Sequence, residues 1–175
     1  MLIGILADSH DNVPMIEKAV ERLNAAGCEL VIHAGDLVAP FSIAVLGKLS
    51  CPWKAVYGNN DGEKVGLKLK AASLGGSIQD PPLVVEVDGK RILVLHDCAD
   101  ALAEARTHSA DVVIYGHSHE VVIEQPQGAG KPPLIINPGE CGGWLTGEYT
   151  AALLDTDTMA VRVIDLSIKS TDYAD

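Results

Sequence analysis

Residues 2–10 read LIGILADSH, an apolar run that ends in Asp8, Ser9 and His10. Such a run is too short for a helix with a buried face and suits a strand covered on both sides. Polar side chains follow at once, where the strand leaves the core. The same grammar recurs: LVIHA leads to Gly35-Asp36, KAVY to Gly58-Asn59-Asn60-Asp61, ILVL to His96-Asp97, and VVIY to Gly116-His117-Ser118-His119. Asp8, His10, Asp36, Asn59, His96, His117 and His119 are thus residues of metal-ligand type, each placed just past an apolar run. Loops leaving the carboxyl ends of strands are where open α/β sheets build their sites. The set points to a hydrolytic centre with two metal ions.

The intervals between clusters supply the framework. After the first strand, Asn12 is placed to cap a helix with Pro14 near its start, Ile16, Ala19, Val20 and Leu23 recur on one face, and Gly27 offers a stop. A second strand at residues 30–33 follows, then a helix from near Pro40 carrying Ile43, Leu46 and Leu49, then a third strand at 54–57. Short βα connections favour parallel pairing. Residues 60–72 read as a weaker helix, and Gly75-Gly76 breaks the chain. Residues 83–87 and 91–95 form a predicted hairpin, because Asp88-Gly89 accepts the positive φ angles of a two-residue turn. A helix at 100–108 and strands at 112–115, 121–124, 134–137, 150–154 and 159–166 complete the pattern, with loops at 125–133 and 137–147. So many strands for so few helices predict two sheets packed together. No internal repeat or domain boundary is evident, and residues 1–175 are expected to form one domain.

Composition narrows the classes. Apolar residues make up 47% of the chain, enough for a sizeable core. With 24 acidic against 13 basic residues and a net charge of −11, the chain lacks the basic stripe that binds nucleic-acid backbones, so no long nucleic acid is expected as a partner. No run approaches a membrane span, and Met1 leads straight into a strand without a leader-like segment. Cys28, Cys51, Cys98 and Cys141 show no paired spacing, which fits reduced thiols filling small buried spaces. A soluble, cytoplasmic protein with no membrane partner is the expectation, and a homo-oligomer is compatible with it.

Four imidazoles, two carboxylates and one amide oxygen, with no thiolate, suit a borderline divalent metal such as Mn, Fe, Co, Ni or Zn. A pair of such ions needs one carboxylate that can bridge them, and Asp36, beside Gly35, is the candidate. His117 and His119 share a face if the segment is extended, and point to different ions if it turns after Gly116.

DSH, GD, GNND, an isolated His after an apolar strand, and GHSH, in that order, resemble the calcineurin-like metallophosphoesterase superfamily. Within it, the short length and the GNND form resemble the small archaeal and bacterial phosphodiesterases of the YfcE type. The likeness runs from Asp8 through Asn137-Pro138-Gly139, and its specificity lies in the ordered set rather than in any one tripeptide. It implies an α/β fold, a four-layer α/β/β/α sandwich of two mixed β-sheets flanked by helices, with the site at one edge of the sheets. It implies a metal-dependent phosphodiesterase acting on a small molecule or nucleotide. Asp8, His10, Asp36 and His119 would hold one divalent ion, and Asp36, Asn59, His96 and His117 the other. Mn²⁺ is the first expectation, with Ni²⁺, Fe²⁺, Co²⁺ or Zn²⁺ as alternatives. A hydroxide between the ions would attack phosphorus in line, with Asp36, Asn59 and His117 as catalytic residues. Asn12 and Asn60 are the candidates for contact with the substrate, Asn12 having helix capping as its other reading.

The chain departs from the superfamily at three points. Asn60 stands where larger phosphoprotein phosphatases carry the GNH histidine thought to protonate the leaving group, so leaving groups that need no proton are favoured unless Asp61 or a water substitutes. The His96 cluster reads HDC where many relatives have HGH, which adds the charge of Asp97 and puts Cys98 in place of an imidazole. Glu140 follows Asn137-Pro138-Gly139 where Ser is common.

Blander readings apply to single residues. A lone Asp, Asn or His beside a strand usually caps a turn. His33 fits a packed position behind the Gly35-Asp36 loop, His108 a surface place near a helix end, and Lys64, Lys68 and Lys70 a solvated helix face. Two other functions compete. A non-catalytic scaffold of the same fold, as in the eukaryotic retromer, goes with an incomplete ligand set, whereas all seven positions are intact here. A phosphomonoesterase of the phosphoprotein phosphatase kind is disfavoured by the missing GNH histidine and by the absence of extra length for a peptide groove.

Overall fold

Strand β1 (Leu2–Leu6) sorts its side chains by alternation, as a pleated strand must. Ile3 and Ile5 pack towards a second sheet, while Leu2 and Leu6 pack towards helices. The computed structural model describes residues 1–125 and 133–167, and within them this two-sided burial is the rule for the central strands. Helix α1 (Val13–Ala26) follows with a Pro in its first turn, buries Ile16, Ala19, Val20 and Leu23, and ends at Gly27 in the left-handed conformation, φ 75°. Strands β2 (Leu30–His33), β3 (Trp53–Val56) and β4 (Gly76–Gln79) then add side by side to β1, all parallel. A 3₁₀ segment (Ser42–Lys48) and helix α2 (Lys64–Ser73) cover their outer face.

The hairpin of β5 (Leu83–Val87) and β6 (Lys90–Val94) turns at Asp88-Gly89 with φ of 50° and 70°. Helix α3 (Ala101–His108) starts at Asp100, whose carboxylate accepts from the Ala103 N–H. Strands β7 (Val112–Ile114), β8 (Val121–Glu124) and β9 (Leu134–Pro138) complete this sheet, in the order β5-β6-β7-β9-β8. Strands β10 (Thr150–Asp155) and β11 (Val161–Asp165) return to the first sheet, whose order is β11-β10-β1-β2-β3-β4. Both sheets are mixed.

The core has three apolar layers. Ile3, Ile5, Ile32, Val56, Ala152 and Leu154 of the first sheet meet Val85, Ile92, Val94, Ile114, Leu134 and Ile136 of the second. Helices α1 and α2 and the 3₁₀ segment close the outer side of the first sheet, and α3 that of the second, through Leu93, Leu95, Ala105 and Val113. The architecture is the expected α/β/β/α sandwich.

Several local expectations differ. The helix read after Pro40 is a 3₁₀ segment, since Ile43 and Leu46, three apart, line up on one edge at three residues per turn. The helix read at 60–72 begins at Lys64, because Asn60 and Asp61 are drawn into hydrogen bonds with the Asp36 loop. The break at Gly75-Gly76 hides β4, an edge strand in which only Ile78 is buried and no apolar run marks the chain. Asn12 occupies the position before α1 but does not cap it; its amide donates to the Gly142 carbonyl at 2.7 Å. Residues 126–132 of the loop read at 125–133, and residues 168–175, lie outside the described residues.

Candidate metal centre

The loops after β1, β2, β3, β6 and β7 converge and bring all seven ligand-type side chains together. Asp36 Oδ2 lies 3.6 Å from His10 Nε2 and 3.4 Å from His96 Nε2, between the two halves of the cluster. On one side, Asp8 Oδ1 is 3.9 Å from His10 Nε2 and 3.7 Å from His119 Nε2, and the His10 and His119 rings stack at 5.2 Å. On the other, Asn59 Oδ1 is 2.9 Å from both His96 Nε2 and His117 Nδ1, whose rings meet edge-on at 5.1 Å. Two trios of ligand atoms could each hold an ion: Asp8, His10 and His119 lie mutually within 4.8 Å, as do Asp8, Asp36 and His96. Asp8 therefore reaches both halves, as Asp36 does. The turn after Gly116 sends His117 and His119 to opposite halves.

Local backbone conformation holds this geometry. Asp8, His10, Asp36, His117 and His119 all have positive φ, between 41° and 68°. Non-glycine residues rarely adopt that region, and such strain persists only where the surroundings impose it, typically at functional sites. Gly35 and Gly116 supply clearance: a Cβ at Gly35 would lie 2.6 Å from His96 Nδ1, and one at Gly116 2.7 Å from Asp8 Oδ2.

An outer set of polar groups orients the inner one. His96 Nδ1 lies 2.8 Å from the Ala34 carbonyl, which only accepts, so Nδ1 carries a proton and a neutral ring turns a lone pair on Nε2 inward. Asn60 donates to Asp36 from its backbone (2.8 Å) and its amide (2.7 Å). Asp61, buried, accepts from the N–H groups of Asp36, Val38 and Gly58 and clamps the β2 and β3 loops together. Asn137 donates to the Gly116 carbonyl and the Ser118 hydroxyl, bracing the His117–His119 turn. Glu140, 1% exposed, accepts from the backbone of Trp144, Leu145 and Thr146 and from the Thr146 hydroxyl. Its Oε1 also stands 3.1 Å from His119 Nδ1, an ion pair whenever the ring is protonated. Glu140 carries no legible consequence in the sequence, and Asp61 is there one of two conditional substitutes, with a water, for the missing acid; in the structure both are buried braces, and only their polarity beside the motifs hints at it.

The two carboxyl groups at the centre diverge. Burial raises Asp8 to about 6 against the pull of His96 and His119. Burial pushes Asp36 the same way, but His96 and the two Asn60 donors outweigh it and hold the carboxyl well below the usual range. Burial would lower His96, yet Asp36 and the Ala34 carbonyl raise it. His33, fully buried, hydrogen-bonds with Ser9 Oγ at 3.1 Å and accepts from Gly35 N–H, and burial drives it down to about 3.

These contacts test whether a cation fits. His96 Nε2 faces Asn59 Oδ1 and Asp36 Oδ2, and, against burial, Asp36 raises the ring's pKa, so positive charge at this point, a proton or a cation, is favoured. Asp8 Oδ1 and His10 Nε2 are buried without a hydrogen-bond partner. Inward lone pairs without donors are the signature of a site completed by positive charge. The donor set fits divalent ions.

The two residues assigned to substrate are placed differently. Asn12 gives one amide N–H to the Gly142 carbonyl and Asn60 gives one to Asp36 Oδ2, and each amide carries a second N–H besides. His108 lies apart, at the end of α3 beside Glu104.

Comparison with known proteins agrees with the site. Residues 1–159 match the family model for the calcineurin-like phosphoesterase superfamily domain. The chain is 41% identical over 169 residues to phosphodiesterase MJ0936 of Methanocaldococcus jannaschii, covering 95% of this chain and 99% of that one. Among solved structures, it resembles an archaeal phosphodiesterase with a TM-score of 0.85 and 41% identity over 94% of this chain and 99% of that one. It shares only the fold with YfcE, a phosphoesterase from Escherichia coli (TM-score 0.67, 20% identity, 95% and 100% covered). A family model spanning nearly the whole chain, together with a site that gathers the family's ligand types, makes this chain a member of the calcineurin-like phosphoesterase superfamily.

Proposed function

We propose that the chain is a cytoplasmic, metal-dependent phosphodiesterase that hydrolyses a small phosphodiester or nucleotide at a dinuclear centre. The observation that carries this reading is Asp36 Oδ2 standing between His10 and His96, at 3.6 and 3.4 Å, at the junction of two ligand sets. Asp8, His10, Asp36 and His119 would hold one ion, and Asp36, Asn59, His96 and His117 the other. Held by these residues, divalent ions, Mn²⁺ first among them, would supply an acidified water near neutral pH and charge to oppose that developing on phosphorus. Asp36 serves both halves because Asn60 fixes both its oxygens. His96 presents Nε2 inward because Ala34 holds its Nδ1 proton. No side-chain acid near the leaving oxygen is evident at Asn60 or Asp61: the first is an amide, and the second has its oxygens occupied by three backbone N–H groups. Diesters with good leaving groups suit such a site. Unpaired cysteines and a net charge of −11 support a reducing cytosol and a small substrate rather than long nucleic acid.

The test is hydrolysis of bis(p-nitrophenyl) phosphate by chelator-stripped protein before and after addition of Mn²⁺, with p-nitrophenyl phosphate alongside. Metal-restored turnover with the higher kcat/KM on the diester is expected. Preference for the monoester would make the chain a phosphomonoesterase. Silence with Mn²⁺, Ni²⁺, Co²⁺ and Zn²⁺ would point to a scaffold, or to a substrate whose leaving group only a specific pocket can handle.

A further inference from the structure

A cleft of about 490 Å³ opens beside the second ligand set, lined by Asn59, His96 and His117 on one side and by Tyr57, Lys64, Asp80, Pro81 and Asp97 beyond. Its volume suits a nucleoside-sized group. Its charge is lopsided. The one cationic side chain on its wall, Lys64, is already engaged: its ammonium pairs with Asp80 at 2.5 Å and sits 4.9 Å over the Tyr57 ring. The Tyr57 hydroxyl in turn donates to the Lys64 carbonyl at 2.8 Å, fixing the start of α2 against the cleft. Asp97, the exposed residue after His96, adds a second carboxylate to the wall and has no hydrogen bond or ion pair among those described. Beyond the ions' reach, the cleft thus offers acceptors and net negative charge. An incoming anion would meet two carboxylates and an ammonium it would have to take from Asp80, within a protein whose net charge is −11.

We propose that this cleft seats the neutral, hydroxyl- or amide-bearing esterifying group of the substrate, of which a nucleoside is the type, and that Asp80 and Asp97 exclude a second phosphate. The inference rests on the phosphodiesterase reading above. Hydroxyl and N–H groups of such a substituent donate to the two carboxylates, while its phosphate lies on the ligand side. The same wall disfavours nucleoside di- and triphosphates and phosphate-bearing chains.

Calorimetric binding to the Mn²⁺-loaded protein separates this from the alternatives, without depending on turnover. Thymidine 5′-monophosphate is expected to bind roughly threefold to tenfold more tightly than thymidine 3′,5′-bisphosphate, the scale of one or two like charges near a protein surface. The gap should close in D80N/D97N, two exposed positions. Lys64→Gln should widen it. Equal affinities, or tighter binding of the bisphosphate that Lys64→Gln abolishes, would overturn the charge filter and make Lys64 a phosphate anchor. If the affinity order holds while bis(p-nitrophenyl) phosphate is untouched by the same metal-loaded protein, the cleft stands and the phosphodiesterase reading falls.

Discussion

His117 is exposed, turns Nδ1 to Asn59, and belongs to the half of the cluster that faces the cleft. Under the proposed dinuclear assignment, His117→Ala is expected to release one ion and to lower turnover roughly 10²- to 10³-fold, the scale of losing one electrostatic stabiliser. His108→Ala, remote at the end of α3, should leave metal content and turnover intact. Metal analysis beside kinetics checks both, and near-normal turnover in the first variant would sink the ligand assignment. Glu140 makes a different prediction, because it touches an inner residue and holds a loop at once. Glu140→Gln keeps acceptors for the 144–146 loop but removes the charge 3.1 Å from His119. Mn²⁺ affinity, read by chelator competition, should fall by roughly 10- to 100-fold while the fold survives. Unchanged affinity would reduce Glu140 to a loop clamp. The ligand types were legible because they are chemically unusual in that spacing; Glu140 and Asp61 were not, since what a carboxylate braces depends on which backbone N–H groups the fold brings to it.

At the scale of elements, the strongest local signals were those with their own short-range physics. Helix α1 was readable from Pro14, the apolar stripe and Gly27, and the β5–β6 hairpin from Asp88-Gly89. Strand β4 was not, because its pairing with β3 comes from backbone hydrogen bonds that any sequence can make. The start of α1 shows the same limit. Its expected cap, Asn12, instead ties the β1 loop to the loop after β9, 130 residues away in the chain. Asn12→Ala should cost about 1 kcal/mol in urea unfolding, the net value of a hydrogen bond, and leave KM for the diester unchanged. A raised KM at unaltered stability would return Asn12 to the substrate.

Over the whole molecule, two sheets with helices on both outer faces leave the cluster at one edge with buried, like-charged carboxylates. A ligand that binds only the folded state stabilises it by mass action, so Mn²⁺ at 100 times its dissociation constant should add about 2.7 kcal/mol and raise the melting temperature by several degrees, reversed by chelator. A melting temperature indifferent to Mn²⁺ would argue that no such site exists. Acid stability tests the buried ring behind the site. His33 titrates near 3 in the fold and near 6.5 when unfolded, so the unfolded chain takes up the proton first. The stability this provides is complete above pH 6.5 and erodes as pH falls towards 3. Asp8, raised to about 6 by burial, acts in the opposite direction between roughly pH 4 and 6 in metal-free protein, so wild type must be compared with a variant. His33→Gln should flatten the loss of unfolding free energy between pH 7 and pH 5; an unchanged slope would show that His33 is not the group responsible.

The amino-acid sequence by itself determined that short apolar strands alternate with helices and that metal-ligand residues close five of those strands, because side-chain periodicity and ligand chemistry are written residue by residue. It also determined the family, through the order of those clusters. Only the tertiary structure decided which ligand faces which: that Asp36 lies between the two halves, that a turn parts His117 from His119, and that Lys64 lines the cleft while paired with Asp80. Those facts join residues from separate strands and both sheets. Their geometry follows from how two sheets stack and loops pack, a cooperative outcome that no local stretch of sequence encodes.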